Sequence, residues 1–325
     1  MSKATFTFEQ KLLHYKQTVS NYLTSIIAKE KPVSLYEPIK YVLDGGGKHL
    51  RPILVLLTNE AFGGSPQRAI PAAGAIEILH NFTLVHDDIM DNDATRRGRP
   101  TVHNKWNVDI ALLAGDGLVA LAYQSLADTQ TTHLVEVHKL FTNCILELCE
   151  GQALDKEFEA NATVSMDDYL EMIGKKTGRL LGLCAQIGCV LADGSTREIA
   201  AVKVFGESLG IAFQIQDDLL DITSEEQILG KDFGSDIKRK KKTFLLIHAL
   251  ENGTAAQKAA IIEEMQNEPM TTAGIYRMRQ LFEQTGAIEC ASAAVQKHLA
   301  MAEESLHTLA PQADTTDLKY FLHYI

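Results

Sequence analysis

The stretch LVHDDIMDND, residues 84–93, sets Asp87, Asp88, Asp91 and Asp93 at the end of a run that is otherwise apolar. FQIQDDLLD, residues 213–221, repeats the arrangement with Asp217, Asp218 and Asp221. Both follow segments with a helical apolar period, and that period runs nearly end to end, which predicts an all-α fold. On a helix, positions i and i+4 share a face, so Asp87 and Asp91 point the same way, as do Asp217 and Asp221. Like charges at that spacing destabilise an isolated helix by about 0.2–0.5 kcal/mol, and desolvation beside a core adds to this. A divalent cation reverses the sign. Carboxylate oxygens are the ligands Mg²⁺ prefers, and it keeps waters and shares phosphate oxygens. Two such faces opposed across a cavity would hold a cluster of Mg²⁺ ions with a diphosphate between them. Solvated helix-end acids would explain one such motif more easily than two. The EF-hand calcium loop is excluded, because its spacing and glycine are absent.

Outward from these motifs, 66–93 reads as one long helix with Pro71 in its first turns. Helical period also covers 6–29, a run from Arg51 ending at Gly63 and Gly64, and 107–127, which GDG at 115–117 interrupts. Further helices are expected at 133–159, 166–191, 196–223, 243–251, 255–266, 271–284 and 287–308. Gly45 to Gly47 break the chain, Pro32 and Pro38 punctuate the segment before them, and ATRRGRPTVHNKW at 94–106 is a polar loop. The stretch 222–242 is glycine-punctuated and charged, and reads as a flexible loop. No strand series and no linker are evident, so a single all-α domain over 1–325 is expected.

Lys plus Arg number 31 and Asp plus Glu 42, a formal charge of −11, which argues against a nucleic-acid binder. A local basic site is still compatible with that total. The five cysteines are odd in number and lack zinc-site spacing, as reduced thiols in a cytoplasmic protein would. MSKATFTFEQKLLHYKQ at the start lacks a signal-peptide apolar region, and no run of about 18 apolar residues is found, so no membrane-spanning segment is expected.

Basic residues accompany the acids. Arg96 and Arg97 follow the first motif, Lys48 and Arg51 lie in GGGKHLRP, and Lys175 and Lys176 precede Thr177. Lys231 lies in LGKD, and 238–242 is KRKKK. GGGKHL is not a P-loop, since no Gly-x4-Gly-Lys-Ser/Thr occurs. Acidic metal faces with several basic groups suit two anionic, phosphate-bearing substrates, one bound through metal and one by Arg and Lys directly.

GGGKHLRP (45–52), HNFTLVHDDIMDNDATRRGRPTVH (80–103), KKTG (175–178), FQIQDDLLD (213–221) and GKDFGSDIKRKKKT (230–243) together resemble the trans-isoprenyl diphosphate synthases, also called polyprenyl synthetases. The resemblance covers almost the whole chain. It implies an isoprenoid-synthase-type bundle of helices around a deep central cavity, a homodimer, and a cluster of three Mg²⁺ ions. It also implies head-to-tail joining of isopentenyl diphosphate to an allylic diphosphate, with release of diphosphate.

By position, Asp87 and Asp91, with Asp88 nearby, match the first metal motif; Asp217 matches the main ligand of the second, supported by Asp218 and Asp221. Lys48, Arg51, His80 and Arg97 match the isopentenyl diphosphate site. Arg96, Lys176, Lys231 and Lys241 match groups that bind the allylic diphosphate, although any of the lysines at 240–242 could reach inward. Thr177 and Gln214 match polar groups facing the developing cation. His49 stands where a basic residue is usual, and Gly178 where Ala is common. No strong side-chain base is evident, so the departing diphosphate is expected to take the proton, and 222–242 is a candidate lid. His86 and His103 are weaker candidates for substrate contact.

Residues one helical turn before Asp87 look down the same cavity. Phe82 and Thr83 lie five and four positions before it. In the family an aromatic there goes with short products, so Phe82 is the expected floor and geranylgeranyl diphosphate the expected product, with farnesyl diphosphate as the alternative. A class I terpene cyclase would not need GGGKHLRP or QDDLLD. A non-catalytic subunit would have lost one aspartate motif, and a plain helical scaffold leaves both charged clusters unexplained.

Overall fold

The first aspartate motif closes a 25-residue helix, α4 (Pro66–Met90), around which the first of two compact units is built. The computed structural model describes residues 7–161, 163–223, 234–267, 269–309 and 313–324. Pro66 opens α4, where its missing N–H removes nothing the helix needs. Ala69, Ala72, Ala73, Ala75, Ile76, Ile78 and Leu79 are all buried, so the helix is covered on more than one side. It packs against α1 (Phe8–Ile26), α2 (Val33–Leu43), α3 (Leu50–Ala61), α5 (Val102–Lys105) and α6 (Val108–Ala127). A two-residue pair, β1 (Thr95–Arg96) and β2 (Arg99–Pro100), forms a hairpin where a loop was expected.

α6 runs unbroken through Gly115 and Gly117, contrary to the expected interruption. These glycines admit neighbours. A Cβ on Gly115 would collide with the His86 ring, and one on Gly117 would lie 2.8 Å from Ile39 Cδ1. α6 is also long and apolar enough to cross a membrane by length and composition, although Asp109 and Asp116 interrupt its apolar run. Here its Ala111, Ala114, Leu118 and Ala122 are fully buried against its neighbours in the unit.

The second unit comprises Thr142–Leu183 and Lys203–Thr308. It takes residues from α7 (Leu134–Ala160), α8 (Met166–Ile173), a π-helical turn (Gly174–Gly178), α9 (Arg179–Val190) and α10 (Thr196–Thr223). It also holds α11 (Ser235–Lys238), α12 (Phe244–Asn252), α13 (Ala255–Gln266), α14 (Thr272–Gln284) and α15 (Ala287–His307). Its core gathers Phe158, Tyr169, Ile215, Phe244, Met278 and Phe282. Ser165, Thr243, Thr254 and Thr271 each cap a helix through the side-chain oxygen, satisfying a backbone N–H that would lack a partner. A last helix, α16 (Thr316–Tyr324), belongs to the first unit and packs on α3.

Two more expectations change. The helix expected over 166–191 is interrupted by the π turn, and α2 passes through Pro38. The supposed loop 222–242 begins as the last turn of α10 and includes α11. Residues 224–233 lie outside the described residues.

Candidate active site

In the first unit, Asp87 and Asp91 are half-buried at the C-terminal end of α4, where the Asp91 N–H caps the Asp87 carbonyl at 2.8 Å. The negative end of the helix dipole adds to their mutual repulsion. Asp88 turns about 100° away and is buried, paired with the Nε of Arg96. Burial pushes its carboxyl up to about 6, opposed by Arg96 and reinforced by the charges of Asp93 and Asp87. Arg96 Nη2 also reaches Asp93 at 3.3 Å. Arg96 thereby pins the hairpin to the end of α4.

The hairpin tip is Arg97–Gly98, with φ of 53° and 71°. Positive φ at both central residues is the type I′ signature, usually met by Asn-Gly. Holding a residue with a Cβ there costs about 1–2 kcal/mol, so this is an expensive place for arginine. The Arg97 guanidinium lies over Gly47, 3.1 Å from where a Cβ would stand, and donates to the Gly46 carbonyl. Lys48 is exposed on the same glycine turn.

Beneath that turn is a buried polar cluster. Arg51, in the first turn of α3, places Nη1 3.2 Å from His80 Nε2 on α4. Arginine only donates, so His80 accepts there and carries its proton on Nδ1. Burial, then the Arg51 charge, drives His80 well below its usual 6.5, so it is neutral. His49 Nδ1 lies 3.0 Å from Glu77 Oε1, and Asn81 Nδ2 lies 3.4 Å from the same oxygen. Burial alone would raise the Glu77 carboxyl, but the close His49 ring, the charge that His80 and His49 take up on protonation, and Arg51 outweigh it and hold it at about 2. A cleft of about 420 Å³, open to solvent, is lined by Tyr41, Gly45, Asn81, Asp88, Arg96 and Arg97 among others. Phe82 packs edge-on against His86 with ring centroids 4.7 Å apart, and Thr83 donates to the His80 carbonyl at 2.8 Å.

In the second unit, the π turn carries Lys175, Lys176 and Thr177. Gly151 on α7 and Gly210 on α10 let it crowd in: a Cβ on either would lie 2.6–2.7 Å from its backbone. Such turns occur mostly as single bulges at functional sites. Thr177 Oγ1 donates to Gln214 Oε1 at 3.1 Å, and Gln214 Nε2 donates to Asp218 Oδ1 at 3.2 Å. Asp218 Oδ2 accepts from the Tyr169 hydroxyl at 2.6 Å and from the Phe244 N–H at 3.0 Å. Burial and the Asp236 charge push Asp218 up to about 7 despite these donors. Asp218 therefore orients the Gln214 amide, leaving its oxygen turned to Thr177.

Asp221 caps α11, accepting from Ser235 N at 3.1 Å, Ser235 Oγ at 2.9 Å and Asp236 N at 3.1 Å. Asp217 is half-buried on α10. Lys176 pairs with Asp155. Lys240, Lys241 and Lys242 are all half-buried, and Lys231 lies outside the described residues. Glu77, Asp155 and Tyr169 escaped the sequence reading. Only Glu77 left a signal, an acid inside the apolar run AAGAIEIL.

Among the described residues, no three His, Cys, Asp or Glu side chains converge as a preformed metal site. The donor chemistry suits Mg²⁺ nonetheless, since that ion usually takes one or two carboxylates and completes its shell with water and phosphate oxygens. Asp87 with Asp91 is such a pair, placed at a helix end whose local field favours a cation.

The family model described as polyprenyl synthetase matches residues 32–282. A short chain isoprenyl diphosphate synthase from Methanothermobacter thermautotrophicus is 38% identical over 301 residues, covering 92% of this chain and 91% of that protein. A geranylgeranyl diphosphate synthase from Sulfolobus acidocaldarius is 36% identical over 313 residues, 94% of each chain. The crystal structure of geranylgeranyl pyrophosphate synthetase from Pyrococcus horikoshii superposes with a TM-score of 0.90 at 36% identity, over 98% of this chain and 97% of that one.

Proposed function

The chain belongs to the polyprenyl synthetase family, and on that premise we propose that it is a short-chain trans-prenyltransferase making geranylgeranyl diphosphate. It joins isopentenyl diphosphate head to tail to an allylic diphosphate, releasing diphosphate and a proton. The observation that carries the reading is the match over nearly the full length of both chains to a geranylgeranyl diphosphate synthase.

Lys48, Arg51, His80 and Arg97 bind the isopentenyl diphosphate. Neutral His80 keeps Arg51 oriented without adding a second cation. Arg96, Lys176, Lys231 and Lys241 bind the allylic diphosphate, where their charge favours departure of the leaving group. Thr177 and Gln214 present oxygen dipoles to the allylic carbon as it becomes cationic; Asp218, itself held by Tyr169, fixes the Gln214 amide with its oxygen toward Thr177. Asp87 and Asp91 at the end of α4 would hold Mg²⁺ in the first unit, with Asp88 supporting, and Asp217 on α10 would hold it in the second, with Asp218 and Asp221 supporting; when bound it supplies Lewis-acid stabilisation of the leaving diphosphate. The released diphosphate takes the proton. The cation has to be kept from water, and Phe82 is the residue assigned to limit the length of the prenyl chain.

We also infer a homodimer and a cytoplasmic location. The exposed Val108, Leu112 and Leu113 of α6 support the first, and an odd number of cysteines without zinc-site spacing supports the second.

The test is product analysis with Mg²⁺, labelled isopentenyl diphosphate and dimethylallyl, geranyl or farnesyl diphosphate. A twenty-carbon end product is expected. A fifteen-carbon product would overturn the assigned length and keep the reaction. No condensation at all would overturn the reaction.

A further inference from the structure

A hairpin of two residues per strand has too few pairings to hold itself, and its tip strains Arg97. Something outside must hold both strands. Arg96 anchors the first to Asp88 and Asp93. The second is held by Tyr41, near the end of α2 and four residues before the glycine turn. The Tyr41 hydroxyl donates to the Pro100 carbonyl at 2.8 Å. Arg99 lies 3.9 Å from the Tyr41 ring centroid, and Lys105 Nζ lies 3.8 Å from it. Lys105 also sits 4.5 Å from the ring of Trp106, which meets Tyr41 edge-on at 5.2 Å. Arg99 and Lys105 repel each other and the nearby Arg96 and Arg97, and the attraction of each to the negative face of the Tyr41 ring offsets that repulsion.

Tyr41 thus joins the glycine turn on one side to the hairpin on the other, and Arg97 bridges the same two pieces two residues from Arg99. We propose that Tyr41 is a positioning residue for isopentenyl diphosphate: its grip on Arg99, Pro100 and Lys105 sets Arg97 over the glycine turn. The proposal rests on the prenyl-transfer reading. Trp106, the only tryptophan of the chain, reports the state of the clamp.

The experiment uses the purified full chain with Tyr41→Leu, which keeps apolar bulk and loses the ring, and Tyr41→Phe, which loses only the hydroxyl. Arg99→Met removes one cation and keeps the ring. Tyr41→Leu is expected to raise KM for isopentenyl diphosphate about tenfold, for two partly exposed cation–π contacts, with a much smaller change in kcat. KM for the allylic substrate should stay within about twofold, because Arg96 has its own anchors. Tyr41→Phe should recover most of the loss, and Arg99→Met should show about a threefold rise. Titrated with isopentenyl diphosphate alone, wild-type Trp106 emission should change, and the midpoint should move about tenfold in Tyr41→Leu. An unchanged KM in Tyr41→Leu, or an equal rise for both substrates, overturns the proposal. If the wild type makes no prenyl product, the prenyl-transfer reading fails by itself. The Trp106 titration then decides the clamp, a flat response or unshifted midpoint refuting it.

Discussion

Replacing Glu77 by Gln keeps the shape of a buried side chain and removes its charge. Glu77 is 2% exposed, so little of its interaction is lost to solvent screening. Lowering a carboxyl from the ordinary 4.5 to about 2 is worth about 3 kcal/mol of folding stability. Because the folded pKa is depressed, that stability is complete above about pH 4.5 and is lost as pH falls toward 2. For 325 residues, an unfolding entropy of about 2.1 cal/mol/K per residue turns it into a Tm loss of about 4 °C at neutral pH. Thermal unfolding of both proteins from pH 7 to pH 3 is the assay. The gap should stay constant from pH 7 to 5 and close below 4.5. Equal Tm values at pH 7, or a gap that widens toward acid, would refute the charge-network reasoning. Glu77 also orients His49 beside Arg51 and His80, so KM for isopentenyl diphosphate should rise in the variant even at temperatures where it is fully folded.

Three other substitutions probe the remaining parts. Phe82→Ala should lengthen the prenyl product, read by chain-length analysis; an unchanged distribution would remove Phe82 as the floor. Gly115→Ala should drive the His86 ring off α6 and disturb the Phe82 packed edge-on against it, shifting product length and lowering stability by about 1–3 kcal/mol as overpacking does; a wild-type product pattern would separate His86 from length control. Asp221→Ala removes the cap of α11 and should cost about 0.5–2 kcal/mol, with faster proteolysis within 234–242; wild-type resistance would show that the cap does not order this segment.

Much of the helical layout was legible because period and caps agreed. The expected 255–266 coincides with α13, whose Thr254 and Gln257 form a reciprocal capping box, and the expected 196–223 coincides with α10. Where period and composition disagreed, the reading failed. GDG in α6 looks like a breaker, and nothing local says that His86 fills the space its first glycine leaves. The hairpin was hidden because its I′ turn is Arg-Gly rather than Asn-Gly, a choice that makes sense only once Arg97 is seen over the glycine turn.

The aspartates show how far motif reading reaches. Six acids look alike along the chain, yet adjacent helical residues diverge by about 100°, so the two members of each Asp-Asp pair cannot share one environment. In both motifs the first aspartate stays half-buried and the second turns inward. Asp88 is raised to about 6 and held by Arg96; Asp218 is raised to about 7 and held by Tyr169, Phe244 and Gln214. The second acid in each pair thus fixes a neighbour that the proposed chemistry needs, Arg96 in one unit and Gln214 in the other. An Asp-Asp pair is therefore more informative than a lone acid repeated every fourth position: on the proposed reading one carboxylate is left for the metal, and the other secures the residue that must meet the diphosphate or the cation.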